Sequence, residues 1–158
     1  KVLFLTQAAM IAAIYVVLTV LFAPFSFGQV QVRISEALTI LPFFTPAAIP
    51  GITIGCIVGN AIGGAIVPDI IFGSIATLIG AVFTYLLRKK NEYLAPLPPI
   101  LSNSLIVPLV LQHAYGVPLS YPLLVLSVGF GEVISCGILG MILLRTLKKY
   151  RYRIFKKA

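Results

Sequence analysis

Charge is what this sequence has least of. Lys, Arg, Asp and Glu together make up 10% of its 158 residues, and 59% of the residues are hydrophobic. So little polar surface excludes a water-soluble fold, which has to present polar groups to solvent. Tryptophan is absent, and there are only 2 cysteines and 1 histidine. Cys56 and Cys136 stand far apart in apolar sequence, so they read as small membrane-buried side chains and not as a disulfide or metal pair. His113 has no serine, cysteine or metal-spaced companion, which leaves it an interfacial side chain. No GxxxxGK[ST] loop and no HExxH or GxSxG pattern occurs, so the chain is expected to carry no cofactor or metal, no catalytic residue and no ATP-hydrolysing machinery of its own.

What is present is apolar sequence in long stretches, with a mean hydropathy of +1.07. A membrane-crossing helix takes roughly 20 apolar residues. The expected fold is therefore all-α: a single polytopic membrane domain over 1–158 with six transmembrane helices at about 2–23, 34–49, 51–67, 70–87, 97–114 and 121–145. The first apolar run is too long for a signal-peptide core and reads as a retained span. The second stretch is short, carries Pro42 and Pro46, and meets the third at Pro50-Gly51, so a broken or tilted helix is expected there.

Of 12 basic residues, all but Arg33 fall in three clusters: Lys1; Arg88, Lys89 and Lys90; and Arg145, Lys148, Lys149, Arg151, Arg153, Lys156 and Lys157. The positive-inside rule puts all three clusters in the cytoplasm, which requires four crossings and then two, with both termini inside a prokaryotic-type cell membrane. This placement also answers the net charge of +8 without nucleic acid, since anionic lipid suits the basic tail better. Segments 24–33, 67–69 and 115–121 are then expected on the outer side.

Small residues mark where helices come close. Gly51, Gly55, Gly59 and Gly63 form one stripe on the third span, and Ala8, Ala9, Ala12 and Ala13 form two adjacent ridges on the first.

A carboxylate inside a bilayer costs about 2.5 to 3.5 kcal/mol at the centre on insertion scales, so each needs a partner or a function. Glu132 lies about 11 residues into the last span, roughly 16 Å deep at the helical rise, on an expected stripe with Tyr121, Val125, Val128, Gly129 and Cys136. Asn103 and Asn60 are expected at similar depth, so three spans converge on one polar layer. Asp69 either caps the start of the fourth span or faces a ligand together with Phe72, Gly73 and Ala76. Arg33 and Glu36, three residues apart, can neutralise each other. Arg33, Glu36, Asp69 and Glu132 sum to −2, which favours a cationic or donor-rich ligand arriving from outside.

At Gln31-Val32-Arg33-Ile34-Ser35-Glu36-Ala37-Leu38 the sequence resembles the QueT family, the substrate-binding S components of energy-coupling factor (ECF) transporters for queuosine precursors. The likeness continues through residues 45–51, 69–78 and 94–99, at Asn103, and at Gly131-Glu132. The resemblance implies a six-helix binding subunit that captures 7-aminomethyl-7-deazaguanine outside. It also implies docking on an EcfT-like transmembrane coupling subunit driven by two cytoplasmic ATPases, which hold the ATP and Mg. One of the alanine ridges, Ala8 with Ala12 or Ala9 with Ala13, would meet the coupling subunit. Glu132 would take the guanine-like donor edge, Asn103 the carbonyl, and Glu36 or Asp69 the ammonium, with Phe72, Tyr115 and Tyr121 as stacking surfaces. The competing expectation is a stand-alone secondary transporter for a small cationic or nucleobase-like solute, and no inverted internal repeat supports it.

Overall fold

The computed structural model describes residues 1–22 and 33–154. Gln31 and Val32 of the family-like motif, the end of the first span at Ala23, most of the expected outer loop 24–33, and Lys156 and Lys157 lie outside these residues. All regular structure among the described residues is helical. In chain order the elements are α1 (Val2–Leu21), a 3-10 helix η1 (Ile34–Phe43), α2 (Ala48–Ile62), α3 (Val67–Leu87), a short 3-10 turn η2 (Glu92–Leu94) and α4 (Leu97–His113). There follow α5 (Tyr121–Glu132), a π-helical segment π1 (Val133–Leu139), α6 (Gly140–Lys149) and the single turn α7 (Arg151–Ile154).

Among the described residues, four helical stretches are long and apolar enough to cross a membrane: Val2–Leu21, Val67–Leu87, Glu92–His113 and Tyr121–Lys149. Ile34–Phe43 and Ala48–Ile62 are apolar but shorter. Large apolar side chains such as Leu5, Leu126, Phe130 and Ile142 are each at least 60% exposed, while Glu36, Asn60, Asn103 and Glu132 are at most 4% exposed. An apolar outside around a polar inside is the arrangement hydrocarbon demands, since buried polar groups must find one another there. The chain is a helical membrane protein.

Several boundaries differ from expectation. The second stretch is broken, as expected, but its boundary with the third falls between Phe43 and Ala48 and not at Pro50-Gly51, so that α2 runs through Pro50. Pro50 is the third residue of α2, in the first turn, where its missing N–H would have had no intrahelical partner. The segment before it is a 3-10 helix with Pro42 inside, shorter than the span expected over 34–49. At its other end α2 stops at Ile62, not 67, because Gly64 takes φ +84 and the Ala65 N–H returns to the Asn60 carbonyl, a glycine-dependent helix stop. The last helical stretch continues past the expected residue 145 to Lys149.

Glycines set the helix spacing. A Cβ on Gly55 would stand 2.8 Å from Tyr15 Cβ, and one on Gly51 would stand 2.9 Å from the Ala8 carbonyl oxygen. α1 and α2 thus run side by side in the same direction, with the glycine stripe of one against the Ala8 and Ala12 ridge of the other. The α3–α4 pair closes in the same way, Gly80 meeting Pro99 while Ser102 donates to the Ala76 carbonyl at 2.6 Å. The described basic residues other than Arg33 gather at one end, where Lys148 pairs with Glu92 at 2.7 Å.

Candidate ligand site

η1 delivers Glu36 to the middle of the molecule. Its carboxylate accepts from the Tyr15 hydroxyl of α1 at 2.5 Å and from Asn103 Nδ2 of α4 at 3.5 Å. The same Asn103 nitrogen donates to Glu132 Oε2 at 3.3 Å, so one amide bridges two carboxylates. Glu132 also accepts from the Cys136 thiol at 3.2 Å, one helical turn on. Thr39 donates to the Glu36 carbonyl at 2.6 Å and lies 3.3 Å from Cys136 Sγ. Thr19 donates to Ser35 at 2.9 Å, fixing the start of η1 to α1.

A second cluster adjoins this one. Arg33, just ahead of η1, donates to Asn60 Oδ1 at 3.2 Å, and Asn60 reaches Cys56 Sγ at 3.5 Å. Asp69 is 3% exposed and accepts from the Tyr115 hydroxyl at 2.8 Å, while the Ile66 N–H donates to that hydroxyl at 3.3 Å. Tyr115 follows α4, outside the membrane-crossing stretches. Partial burial and its bond to Asp69 raise its phenol above the ordinary value.

Glu36, Glu132 and Cys136 each place one potential ligand atom within 4.8 Å of the others. In this structure those atoms serve in hydrogen bonds. Two carboxylates so close, with an amide between them, form a paired acceptor for a flat ligand edge that carries adjacent N–H groups.

The model of the family described as QueT transporter matches residues 5–149. The chain belongs to that family. A curated relative, the queuosine precursor transporter QueT of Lactococcus lactis subsp. cremoris (strain MG1363), is 37% identical over 89 residues. That alignment covers 54% of this chain and 52% of the relative, so the match spans about half the relative's length. No solved structure matches the chain.

Of the residues singled out in this QueT-family sequence, Glu36, Asn103 and Glu132 come together, with Arg33, Asn60 and Asp69 in the adjoining layer. Phe72 does not join them: it is 49% exposed and lines an outer groove with Pro68, Ile106 and His113. Tyr121 also stands apart, its hydroxyl donating to the Leu105 carbonyl at 2.9 Å. The buried face of the last helical stretch is Leu124, Val128, Glu132 and Cys136, turned slightly from the expected stripe through Tyr121, Val125 and Gly129. Asp69 lies three residues beyond the N-cap, Ile66, and its oxygen is held by Tyr115. Arg33 and Glu36 attract each other electrostatically, as their spacing suggests, while the described hydrogen bonds take Arg33 to Asn60 and Glu36 to Tyr15 and Asn103. Tyr15, Thr19, Ser35 and Thr39 are members of the site that the sequence did not single out. Their signal was present in part, since Tyr15 and Thr19 fall one turn apart within an otherwise apolar span.

Proposed function

We propose that this chain is the substrate-binding subunit of an ECF importer and captures 7-aminomethyl-7-deazaguanine from outside the cell. The observation that carries this reading is the buried Glu36–Asn103–Glu132 bridge. The ligand's pyrimidine edge offers a ring N–H and an exocyclic amine beside one carbonyl. Glu132 accepts from the two donors, and the Asn103 amide exchanges one of its two carboxylate bonds for one donated to the ligand carbonyl. Buried charge-assisted bonds of this kind discriminate strongly, because an analogue lacking a donor leaves a carboxylate unpaired.

The ammonium sits at the opposite end of the bicycle. Glu36 and Glu132 turn oxygens to within 4.8 Å of each other, so they serve one end of such a ligand and Asp69 serves the other. Entry is past Asp69 and Tyr115, at the end of the molecule away from the basic residues. In this reading the chain crosses the membrane six times, with η1 and α2 as short second and third crossings and both termini in the cytoplasm.

Energy comes from two cytoplasmic ATPases through a transmembrane coupling subunit. Ala9 and Ala13 are the docking ridge, because Ala8 and Ala12 already face the α2 glycines while Ala9 and Ala13 are exposed. Isothermal titration with the aminomethyl, cyano and unmodified deazaguanines tests the ligand, and Glu132→Gln tests the site. The reading expects the aminomethyl form to bind tightest and Glu132→Gln to weaken it by far more than twofold, about 0.4 kcal/mol. Equal affinity for the charged and nitrile forms overturns the ammonium assignment. Uptake by the purified chain alone in liposomes makes it a secondary transporter instead.

A further inference from the structure

Resting on the reading above, we propose that the ligand's ammonium binds in a notch left by the missing side chain of Gly73, and that Tyr115 is a positioning residue that aims Asp69 into it. Asp69 and Gly73 lie one turn apart on α3, and both are buried. A Cβ on Gly73 would stand 3.5 Å from Asn60 Nδ2 of α2 and 3.6 Å from Asp69 Oδ1. Setting aside the chain neighbours of Gly73 and its own helix backbone, no other described atom comes within 4 Å of that point. Close-packed interiors leave few such spots, and this one is flanked by two polar ends. An ammonium has the size of a methyl group, so a place that would hold an alanine methyl in ordinary contact admits one.

The two flanking groups are not equivalent. Arg33 donates to Asn60 Oδ1 at 3.2 Å, which leaves the amide nitrogen on the notch side, and that nitrogen donates to Cys56 Sγ at 3.5 Å. The acceptor offered to a cation is therefore Asp69. Its Oδ2 is taken by the Tyr115 hydroxyl at 2.8 Å, and no described hydrogen bond reaches Oδ1. A charged N–H brought to a buried carboxylate oxygen makes the stronger class of hydrogen bond.

Tyr115 fixes which carboxylate oxygen faces the notch. Its hydroxyl accepts from the Ile66 N–H at 3.3 Å while donating to Asp69, so the phenol is held from two sides at the start of α3. The backbone that carries it is held as well. The Tyr115 N–H returns to the Val110 carbonyl at 3.2 Å and the Val117 N–H to the Leu111 carbonyl at 3.0 Å, around Gly116 at φ +67. That is a glycine-dependent helix stop, and it places the ring over the first turn of α3. With Oδ2 clamped the carboxylate does not turn, and Oδ1 stays beside Gly73. A ligand whose short substituent ends in a primary ammonium gains this bond, and one without the substituent leaves the notch empty.

Isothermal titration of the full chain in nanodiscs compares the aminomethyl and unmodified deazaguanines, and the quantity read is the ratio of their affinities. The unaltered chain should favour the aminomethyl form by about tenfold or more, the worth of one charge-assisted bond. Gly73→Ala fills the notch without a clash and should bring the ratio close to one, as should Asp69→Asn, which removes the charge. Tyr115→Phe keeps the ring and deletes the hydroxyl, and should lower the ratio by roughly threefold or more. A tyrosine that serves by stacking or packing alone would change both affinities together and leave the ratio as it was, which overturns the positioning role. An unchanged ratio in Gly73→Ala overturns the notch. A ratio of one in the unaltered chain overturns the whole proposal while leaving the chain a deazaguanine-binding subunit, and binding of neither ligand overturns that reading too.

Discussion

Tyr15 and Glu36 lie 21 residues apart and meet at 2.5 Å, the phenol of α1 donating to the carboxylate of η1. Tyr15 is wholly buried, so no water takes its place if the hydroxyl is removed. Tyr15→Phe keeps the ring packed beneath Gly55 and deletes only the donor. It should destabilise the protein by on the order of 1–3 kcal/mol, the cost of leaving a buried acceptor short of a partner, read from thermal unfolding in detergent. An unchanged midpoint would mean that the remaining Asn103 contact suffices for Glu36.

Gly80 and Gly73 sit on the same helix and answer differently to the same change. A methyl on Gly80 meets Pro99 Cα at 2.9 Å, and backbone cannot step aside. On Gly73 it meets Asn60 Nδ2 at 3.5 Å, an ordinary contact. Gly80→Ala should cost about 1–3 kcal/mol as overpacking, and Gly73→Ala should melt close to the unaltered protein. The reverse order would contradict the close approach of α3 and α4.

Tyr115 gives the structure a pH dependence at one end. Its folded-state phenol ionises above 10 because partial burial disfavours the phenolate and the bond to Asp69 holds the proton. A group whose proton is held more tightly in the folded state stabilises fully below its unfolded value, and that contribution is lost as pH rises through the folded one. Tyr115→Phe should therefore melt lower than the unaltered chain at neutral pH, with the gap closing once pH passes 10. A gap that stays constant with pH would assign the tyrosine's contribution to packing alone.

The two alanine ridges are separable. Ala8→Leu pushes into α2 beside Gly51 and should lower stability, by about 1–3 kcal/mol. Ala9→Leu with Ala13→Leu lies on an exposed face and should leave both unfolding and ligand binding unchanged, yet abolish co-purification with the proposed coupling subunit. Retained co-purification would move the docking surface elsewhere.

Glu132 was legible in the sequence because a polar group about 11 residues into an apolar stretch needs a partner or a function. Asn103 and Asn60 were legible for the same reason. The glycine stripe was readable too, although only coordinates reveal that its partner is α1. Phe72 misled because an aromatic three residues from Asp69 can be shared with the site or turned to lipid, and one helical step decides which. The break near Pro50 misled because a proline in a first turn and a proline that ends a helix look alike until the helix start is known. Tyr15 went unread because an aromatic in an apolar span carries no mark of its hydroxyl's partner, which here comes from an element 21 residues away.

The π-helical stretch Val133–Leu139, directly below Glu132, bears on how this chain tolerates changes in length. Its i to i+5 hydrogen bonding accommodates one residue more than α geometry does, and such a turn relaxes to α when that residue is removed. A single deletion there is absorbed locally, leaving Glu132 above and Leu144 below close to their present directions. The same deletion in the middle of α3 turns everything beyond it by about 100° and takes the Thr84 hydroxyl off the Ala95 carbonyl. Length variation among relatives is thus expected to collect just beneath the carboxylate, where the helix can lose a residue without re-aiming it.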